Sequence, residues 1–145
     1  MRFSSILCAV DFSASSRAAL KYAVAMAASS KGRVTVLYVA DALLAGAAEI
    51  QLHDRTFLAD AKAELQTFVD RAVPPRMRKG VTVDVVIAKG KAAACILSAA
   101  RRQEADLIVM GTQGLGAIGR FFLGSTASTV LQRSRVPVLT VPGRR

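Results

Sequence analysis

Short apolar runs alternate with longer amphipathic stretches along most of the chain. Five strands are predicted from the apolar runs at 4–10, 33–39, 81–87, 106–110 and 137–141. Helices are predicted between them, over residues 14–30, 54–72, 92–103 and 125–133. Residues 40–55 are apolar but show no clean period, so no element is assigned to them.

This order of elements predicts the fold class. Parallel strands need a helical crossover, so strands alternating with helices predict an α/β fold with a mostly parallel sheet. At 145 residues with 52% hydrophobic content, the chain can bury a core, and one domain over 1–145 is expected. Ser13 is predicted to cap the first helix and Gly32 to stop it, and Pro74 and Pro75 to end the second.

The charge balance suggests an anionic partner. Twenty Lys and Arg residues against ten acidic residues give a formal charge of +10, which suits a nucleotide, a nucleic acid or an anionic membrane surface. The cations are scattered in short clusters, without a continuous stripe or interleaved aromatic residues. A solvated basic surface is therefore favoured, and nucleic-acid binding is not expected.

Other residue types limit the chemistry. Cys8 and Cys95 are predicted to be free buried thiols, and His53 is the single histidine, so no structural zinc site is expected. Asp11 ends the first apolar run too early for a signal peptide, and no segment reaches the roughly 18 apolar residues of a membrane span. A cytoplasmic location is expected.

Residues 111–126, "GTQGLGAIGRFFLGST", contain three overlapping phosphate-binding patterns. A dinucleotide fingerprint begins at Gly114, but that motif needs an acidic residue about 20 positions later, and none follows Asp106. A P-loop is excluded because Arg120 and Phe121 stand where the motif requires Lys and a hydroxyl residue.

The third pattern is formed by Gly111, Gly114, Gly124 and Ser125. Glycines at the end of a strand let backbone amides approach an anion closely. The helix that begins at Ser125 has free amides at its positive end, to which the Ser125 and Thr126 hydroxyls can add. A nucleotide di- or triphosphate suits this arrangement, although the glycines could also serve only to turn a surface loop.

The chain resembles the universal stress protein family over its whole length. The resemblance rests on "ILCAVDFS", on "LIVMGTQGLGAIGRFFLGSTASTVL" and on "VPVLTVP". The ATP-binding pattern of that family is G-x2-G-x9-G-[ST], which this chain matches. The resemblance implies a Rossmann-like, adenine nucleotide α-hydrolase-like fold, with a five-stranded parallel sheet in the order 3-2-1-4-5 and helices on both faces. Strand direction then reverses between strands one and four, so a ligand is expected over their carboxyl ends.

The resemblance also implies a set of binding residues. Ala9, Val10 and Asp11 would line the adenosine, and Val39 would offer backbone hydrogen bonds to the adenine. Ribose and phosphate contacts would come from Met110, Gly111, Gln113, Gly114, Gly124, Ser125 and Thr126. Asp11 could bind the ligand, help to hold Mg²⁺ or Mn²⁺, or only support the first helix cap. The family often has His or Arg where this chain has Gln113, and Arg120 could supply that charge instead.

The expected function is that of an ATP-binding stress-response regulator. In this interpretation the bound nucleotide changes the conformation of the protein or its contact with an unknown regulatory protein. ATP would be hydrolysed slowly at most. The resemblance also implies a homodimer through the strand at 136–141, and such pairing would relieve an apolar sheet edge. Alternatives are a dimeric stress protein that does not bind ATP and a basic nucleic-acid-binding module. Enzymes of the related groups are excluded, because they need H-x-G-H or S-G-G-x-D-S, which this chain lacks.

Overall fold

In a computed structural model of the protein, residues 1–41, 55–113 and 123–143 are described. They form a sheet of five parallel strands in the order β3-β2-β1-β4-β5. The expected fold class and strand order are both confirmed. The strands are β1 (Ser5–Val10), β2 (Arg33–Ala40), β3 (Thr82–Lys89), β4 (Leu107–Gly111) and β5 (Val138–Val141).

In the described ranges, four α-helices connect these strands and cover both faces of the sheet. They are α1 (Ala14–Ala28), α2 (Arg55–Ala72), α3 (Ala92–Arg102) and α4 (Ser125–Arg133). Helices α1 and α2 pack on one face, against side chains such as Ile6 and Cys8, while α3 and α4 pack on the other, against Leu7 and Leu37. Neighbouring residues of one strand therefore enter different halves of the core, as strand alternation requires.

Most element boundaries differ from the sequence predictions by one or two residues. Helix α1 ends at Ala28 rather than residue 30, and β3 covers Thr82–Lys89 rather than 81–87. The two prolines do end α2, but the second of them opens a short 3₁₀ turn over Pro75–Met77. Proline suits the first position of a helical turn, because its missing amide has no partner there in any case.

The expectation that Gly32 stops α1 by its flexible backbone is corrected. The left-handed residue after the helix is Lys31, with φ 51°. Gly32 instead passes so close to β1 that an added Cβ would lie 2.7 Å from the Ser4 carbonyl oxygen. Glycine is needed here because two backbone segments touch, and not because φ is positive.

No helix in the described ranges is both long and apolar enough to cross a membrane.

Candidate functional site

A cleft of about 370 Å³ opens at the carboxyl ends of β1 and β4. At this point the chain order along the sheet reverses, and α/β folds bind ligands at such points. Its volume lies in the range of about 300–1,000 Å³ that small-molecule sites occupy. Ten residues that the sequence analysis singled out line this cleft: Ala9, Val10, Asp11, Val39, Met110, Gly111, Gln113, Gly124, Ser125 and Thr126. Gly114 and Arg120, which were also singled out, lie outside the described residues.

The cleft has lining residues that sequence reasoning did not identify. They are Ser16, Leu37, Ala92, Ile96, Thr112 and Ala127. Leu37 could have been predicted from the sequence, because it lies two positions before Val39 and so faces the same side of the strand. Ala92 and Ile96 come from α3, whose position over the sheet depends on tertiary packing that the sequence does not display.

One wall of the cleft is apolar. Leu37, Ile96 and Met110 are buried here at the edge of the core between the sheet and helices α3 and α4. The ladder between β1 and β2 ends at the pair Val10–Tyr38, so Val39 extends one residue beyond β1 into the opening. A flat apolar ring can lie against this wall, with the polar edge of the ring beside the Val39 backbone.

Asp11 is built into the turn that starts α1. Its Oδ1 accepts a hydrogen bond from the Ser13 amide at 3.0 Å, and its own amide donates to Ser16 Oγ at 3.3 Å. Ser13 caps the helix as predicted, because its Oγ accepts from the Ser16 amide at 3.2 Å. The role of Asp11 in supporting the helix cap is thus present in the structure, and its carboxylate still borders the cleft.

Phe12 has a left-handed backbone with φ 66°, which is unusual for a bulky residue. Its ring contacts Tyr38 and Phe68, with centroids 4.9 Å and 5.3 Å away. The Arg17 guanidinium also lies 5.7 Å from the Phe68 ring. These aromatic contacts anchor the turn between Asp11 and Ser13, and so offset the backbone strain.

Gly111 has a packing role that the sequence did not reveal. It lies on the same side of β4 as Val109, which faces α1 and α2. A Cβ added to Gly111 would lie 2.8 Å from Ser15 Cβ and would collide with Ser15 Oγ as well. The missing side chain therefore lets β4 approach the first turn of α1, while the backbone of Gly111 borders the cleft.

Helix α4 points its amino terminus at the cleft. Gly124 is its N-cap and has no side chain to cap the helix, and the first intrahelical bond runs from the Ser128 amide to the Gly124 oxygen at 2.9 Å. The amides of the first turn thus lack intrahelical partners, and they lie beside the Ser125 and Thr126 hydroxyls. Helix α3 is similar, since its N-cap Lys91 makes no side-chain cap and Ala92 borders the same cleft.

These two helices differ from α1 in an informative way. Helix α1 is capped by its own Ser13, whereas neither helix end facing the cleft from the opposite side of the sheet has such a cap. Uncapped amides and the positive end of the helix dipole attract an anion. The cleft therefore joins an apolar wall to a site of positive potential.

Metal ligands are sparse in this part of the molecule. Within the described ranges, no group of three His, Cys, Asp or Glu side chains is arranged to hold a metal ion. Asp11 is the single carboxylate among the described residues that line the cleft. One carboxylate fits Mg²⁺ that arrives with a phosphate ligand, since this ion commonly keeps waters and takes only one or two protein carboxylates.

The two cysteines lie outside the cleft lining. Burial raises the pKa of the Cys8 thiol to about 12. Cys95 is partly exposed, and its pKa is raised by desolvation, with an opposing effect of Arg102 and a smaller contribution from Asp41. Both shifts favour the unreactive thiol form over the thiolate. The prediction of free thiols is met, but Cys95 is less buried than expected.

Comparison with known proteins identifies the relatives of this chain. The profile of the universal stress protein family matches residues 2–142. Universal stress protein YxiE of Bacillus subtilis is 29% identical over 96% of this chain and 99% of its own length. A shorter match, 50% identical, covers 40% of this chain and 42% of a universal stress protein from Thermus aquaticus.

Solved structures share the fold. Universal stress protein UspA from Lactobacillus plantarum is 29% identical, covers 97% of this chain and 99% of its own, and has a TM-score of 0.73. A universal stress protein solved in complex with cAMP is 21% identical, covers 99% and 100%, and has a TM-score of 0.73. One from Archaeoglobus fulgidus, in complex with dAMP, is 20% identical, covers 97% and 99%, and has a TM-score of 0.66.

Proposed function

We propose that this chain, which belongs to the universal stress protein family, binds ATP in the cleft between β1 and β4 and acts as a nucleotide-dependent regulator. The observation that carries this proposal is the uncapped amino terminus of α4, which faces the same cleft as an apolar wall. An adenine nucleotide combines an apolar ring with a polyanion in the same way.

The apolar wall would receive the adenine. Leu37, Ile96 and Met110 supply apolar surface, and the Val39 backbone supplies polar groups at the edge of the ring. Ala9, Val10 and Asp11 would lie along the adenosine, where the Asp11 carboxylate can accept hydrogen bonds from ribose hydroxyls. Selectivity for adenine would then come from backbone contacts, because the described residues place no charged side chain on this wall.

The amino terminus of α4 would receive the phosphates. Its free amides and the hydroxyls of Ser125 and Thr126 are hydrogen-bond donors of the kind that bind phosphate at helix termini. Gln113 is neutral and adds no charge at this end of the cleft. The phosphate site would therefore rely on hydrogen bonds and on the helix dipole more than on cationic side chains of the described residues.

Related structures support an adenine nucleotide as the ligand class. One universal stress protein binds cAMP and another binds dAMP, so folds of this family accept the adenine group with different phosphate and sugar arrangements. For this chain, the two uncapped helix termini favour a longer polyphosphate, since each can contact a different part of the anion.

A regulatory role suits the site better than efficient catalysis. Hydrolysis of a phosphoanhydride needs a group that positions water and also cations that neutralise developing charge. In the part of the chain that the structure describes, Asp11 contributes the single carboxylate to the cleft, and its Oδ1 is already bonded to the Ser13 amide. Asp11 would hold a nucleotide-bound Mg²⁺ or Mn²⁺, and turnover would be slow at most.

The proposal includes a homodimer in the cytoplasm. Strand β5 is an edge of the sheet, and Val138, Leu139 and Thr140 are half-buried. Pairing with β5 of a second copy would extend the sheet and cover this edge. Bound nucleotide would then change the conformation or exposed surface that a regulatory protein contacts.

The test is isothermal titration of nucleotide-free protein with ATP, ADP and AMP, with and without Mg²⁺. Thr126→Val removes a hydroxyl that borders the cleft, and we expect it to weaken ATP binding about 5- to 10-fold, as loss of one hydrogen bond does. Thr129→Val is the matched control, because Thr129 lies on the same helix and bonds to the Ser125 carbonyl at 2.9 Å. Equal effects of the two variants, or no nucleotide binding at all, would contradict the proposal.

A further inference from the structure

Basic residues that are scattered along the sequence are gathered by the fold at one end of the sheet. In a parallel sheet all strands start at the same end, and all connecting helices finish there. Eleven of the twenty Lys and Arg residues precede a strand or lie at a helix end on this side. We call this surface the amino end. It lies opposite the cleft, which is at the carboxyl ends of the strands.

One group of these cations lies at or before the strand starts. Arg2 precedes β1, and Lys31 and Arg33 lie at the start of β2. Hydrogen bonds place these starts side by side, since the Arg33 amide donates to the Ser4 oxygen at 2.8 Å. The segment between α2 and β3 adds residues 76, 78 and 79, which are Arg, Arg and Lys, and Arg135 precedes β5.

A second group comes from the helix ends. Arg71 lies in the last turn of α2, Arg101 and Arg102 in that of α3, and Arg133 in that of α4. Cations favour helix carboxyl termini because of the helix dipole, which accounts for these four. The dipole does not account for the seven others, which lie outside the helices.

Four carboxylates of the described residues lie among these eleven cations: Asp70, Asp84, Asp106 and the exposed Glu104 between α3 and β4. Asp84 pairs with Arg33 at 3.5 Å, and Asp70 with Arg78 at 2.7 Å. Asp106 is engaged by β1, whose Ser4 amide donates to its Oδ2 at 2.9 Å. The two Arg–Asp contacts are the ion pairs of the described residues. Most cations of the amino end therefore face solvent without a carboxylate partner.

We propose that the amino end binds the phosphate backbone of a nucleic-acid duplex without reading its sequence. The expectation against nucleic acid rested on the scatter of cations along the chain, and the fold removes that scatter. Nine of the eleven cations are Arg, whose planar guanidinium fits phosphate oxygens in pairs. Four strand spacings of about 4.8 Å give a width of about 19 Å, enough for several phosphates.

Other features of this end select among anionic partners. Helices present their carboxyl termini here, so none can insert its first turn into a groove to read bases. Tyr22, the exposed aromatic side chain of the described residues, lies near the middle of α1, so one ring at most is available, whereas single strands are bound by several stacked aromatic side chains. Exposed Met77 and Leu131 belong to opposite sheet edges, and they form no continuous apolar face for a membrane or a protein partner.

The test is fluorescence anisotropy with the full chain and two duplexes of unrelated sequence, each about 20 base pairs long, over a range of salt concentrations. We expect equal affinity for both duplexes and a slope of log K against log salt of about −4, corresponding to four or five phosphates. The triple variant Arg2→Gln, Arg102→Gln, Arg133→Gln should reduce the slope by about 2 to 3. Binding should persist at saturating ATP, because the cleft is at the other end of the sheet.

The matched control removes the same charge elsewhere. Lys21→Gln, Arg55→Gln and Lys62→Gln together change three exposed cations of α1 and α2 that do not belong to the amino end, and the slope should stay within about 0.5 of the original. An equal loss in this control would overturn the proposal, as would displacement of the duplex by ATP. Tighter binding to vesicles rich in phosphatidylserine, or to polyglutamate, would also overturn it and would identify a membrane or an acidic protein instead.

Discussion

Replacing Gly111 with Ala distinguishes two reasons for a glycine at this position. Its missing Cβ would point at α1, 2.8 Å from Ser15 Cβ and 2.9 Å from the Ser15 carbonyl carbon. Carbon atoms prefer separations of about 3.5–4.0 Å, so the first turn of α1 would have to move by about 0.7–1.2 Å. That turn is held by the Ser13 cap and by a hydrogen bond from the Ser15 hydroxyl to the Gln113 carbonyl oxygen, so it cannot move freely.

The expected cost follows from overpacking of a well-packed core. Insertion of one methyl group of this kind costs about 1–3 kcal/mol, and we expect about 2.5 kcal/mol because two of the contacts involve backbone or Cβ atoms. For a chain of this size, that loss lowers Tm by about 5–10 °C. Nucleotide affinity of the folded protein should change little, since the new methyl group faces α1 rather than the cleft.

The assay is urea denaturation of four proteins: the original chain, Gly111→Ala, Ser15→Gly and the double variant. Ser15→Gly removes two of the atoms that the new Cβ would meet, so the double variant should recover about 1 kcal/mol relative to additivity. ATP titration accompanies each measurement. A Gly111→Ala protein with full stability and no nucleotide binding would refute the packing explanation and would identify Gly111 as a residue that the ligand approaches.

Four further predictions concern the core, the turn at α1 and the start of α4. Burial raises the pKa of the Cys8 thiol in the folded chain to about 12, from an ordinary 9.0, so the unfolded chain should lose that proton first as pH rises. Above about pH 9 the free energy of unfolding should therefore fall by about 1.4 kcal/mol per pH unit more than in Cys8→Ala, measured by urea denaturation. A thiol reagent at neutral pH should label Cys95 before Cys8, and mass spectrometry of digests would show the order; the reverse order would contradict the burial. Phe12→Gly should be about 1 kcal/mol more stable than Phe12→Ala in urea, because φ 66° strains Ala but not Gly. Gly124→Val should lose ATP binding in titrations while Gly124→Ala keeps most of it, since a Cβ there lies 3.4 Å from the Thr112 oxygen and only the larger side chain would fill the space before the helix terminus.

The strands and helices could be predicted because their signals are local. Apolar runs of five to eight residues and helical periods depend on neighbours in sequence, and each predicted strand and helix is present. Two details could not be predicted, because they depend on contacts between distant segments. Gly32 is fixed by the approach of Ser4, and Gly111 by the approach of Ser15.

The residues of the candidate site also divide into those predicted from local sequence and those that depend on tertiary contacts. Asp11, Gly124 and Ser125 follow from the ends of strands and the start of a helix, and these residues do line one cleft. Ile96 was missed because nothing near it in sequence indicates which strand end its helix covers. The basic amino end was missed for a related reason, since cations far apart in sequence become neighbours only when all strands start together.

The central position of β1 also has a consequence for synthesis on the ribosome. Strand β1 pairs with β2 after one crossover, but its other neighbour, β4, begins at Leu107. At about 5–20 residues per second, the far edge of β1 stays unpaired for about 1–4 seconds after β2 and β3 have been made. During that time, Leu7 and Leu37 lack the cover of α3 and α4, so the growing chain exposes half of its core. A nascent chain in this state is a substrate for chaperones and for pairing with neighbouring copies.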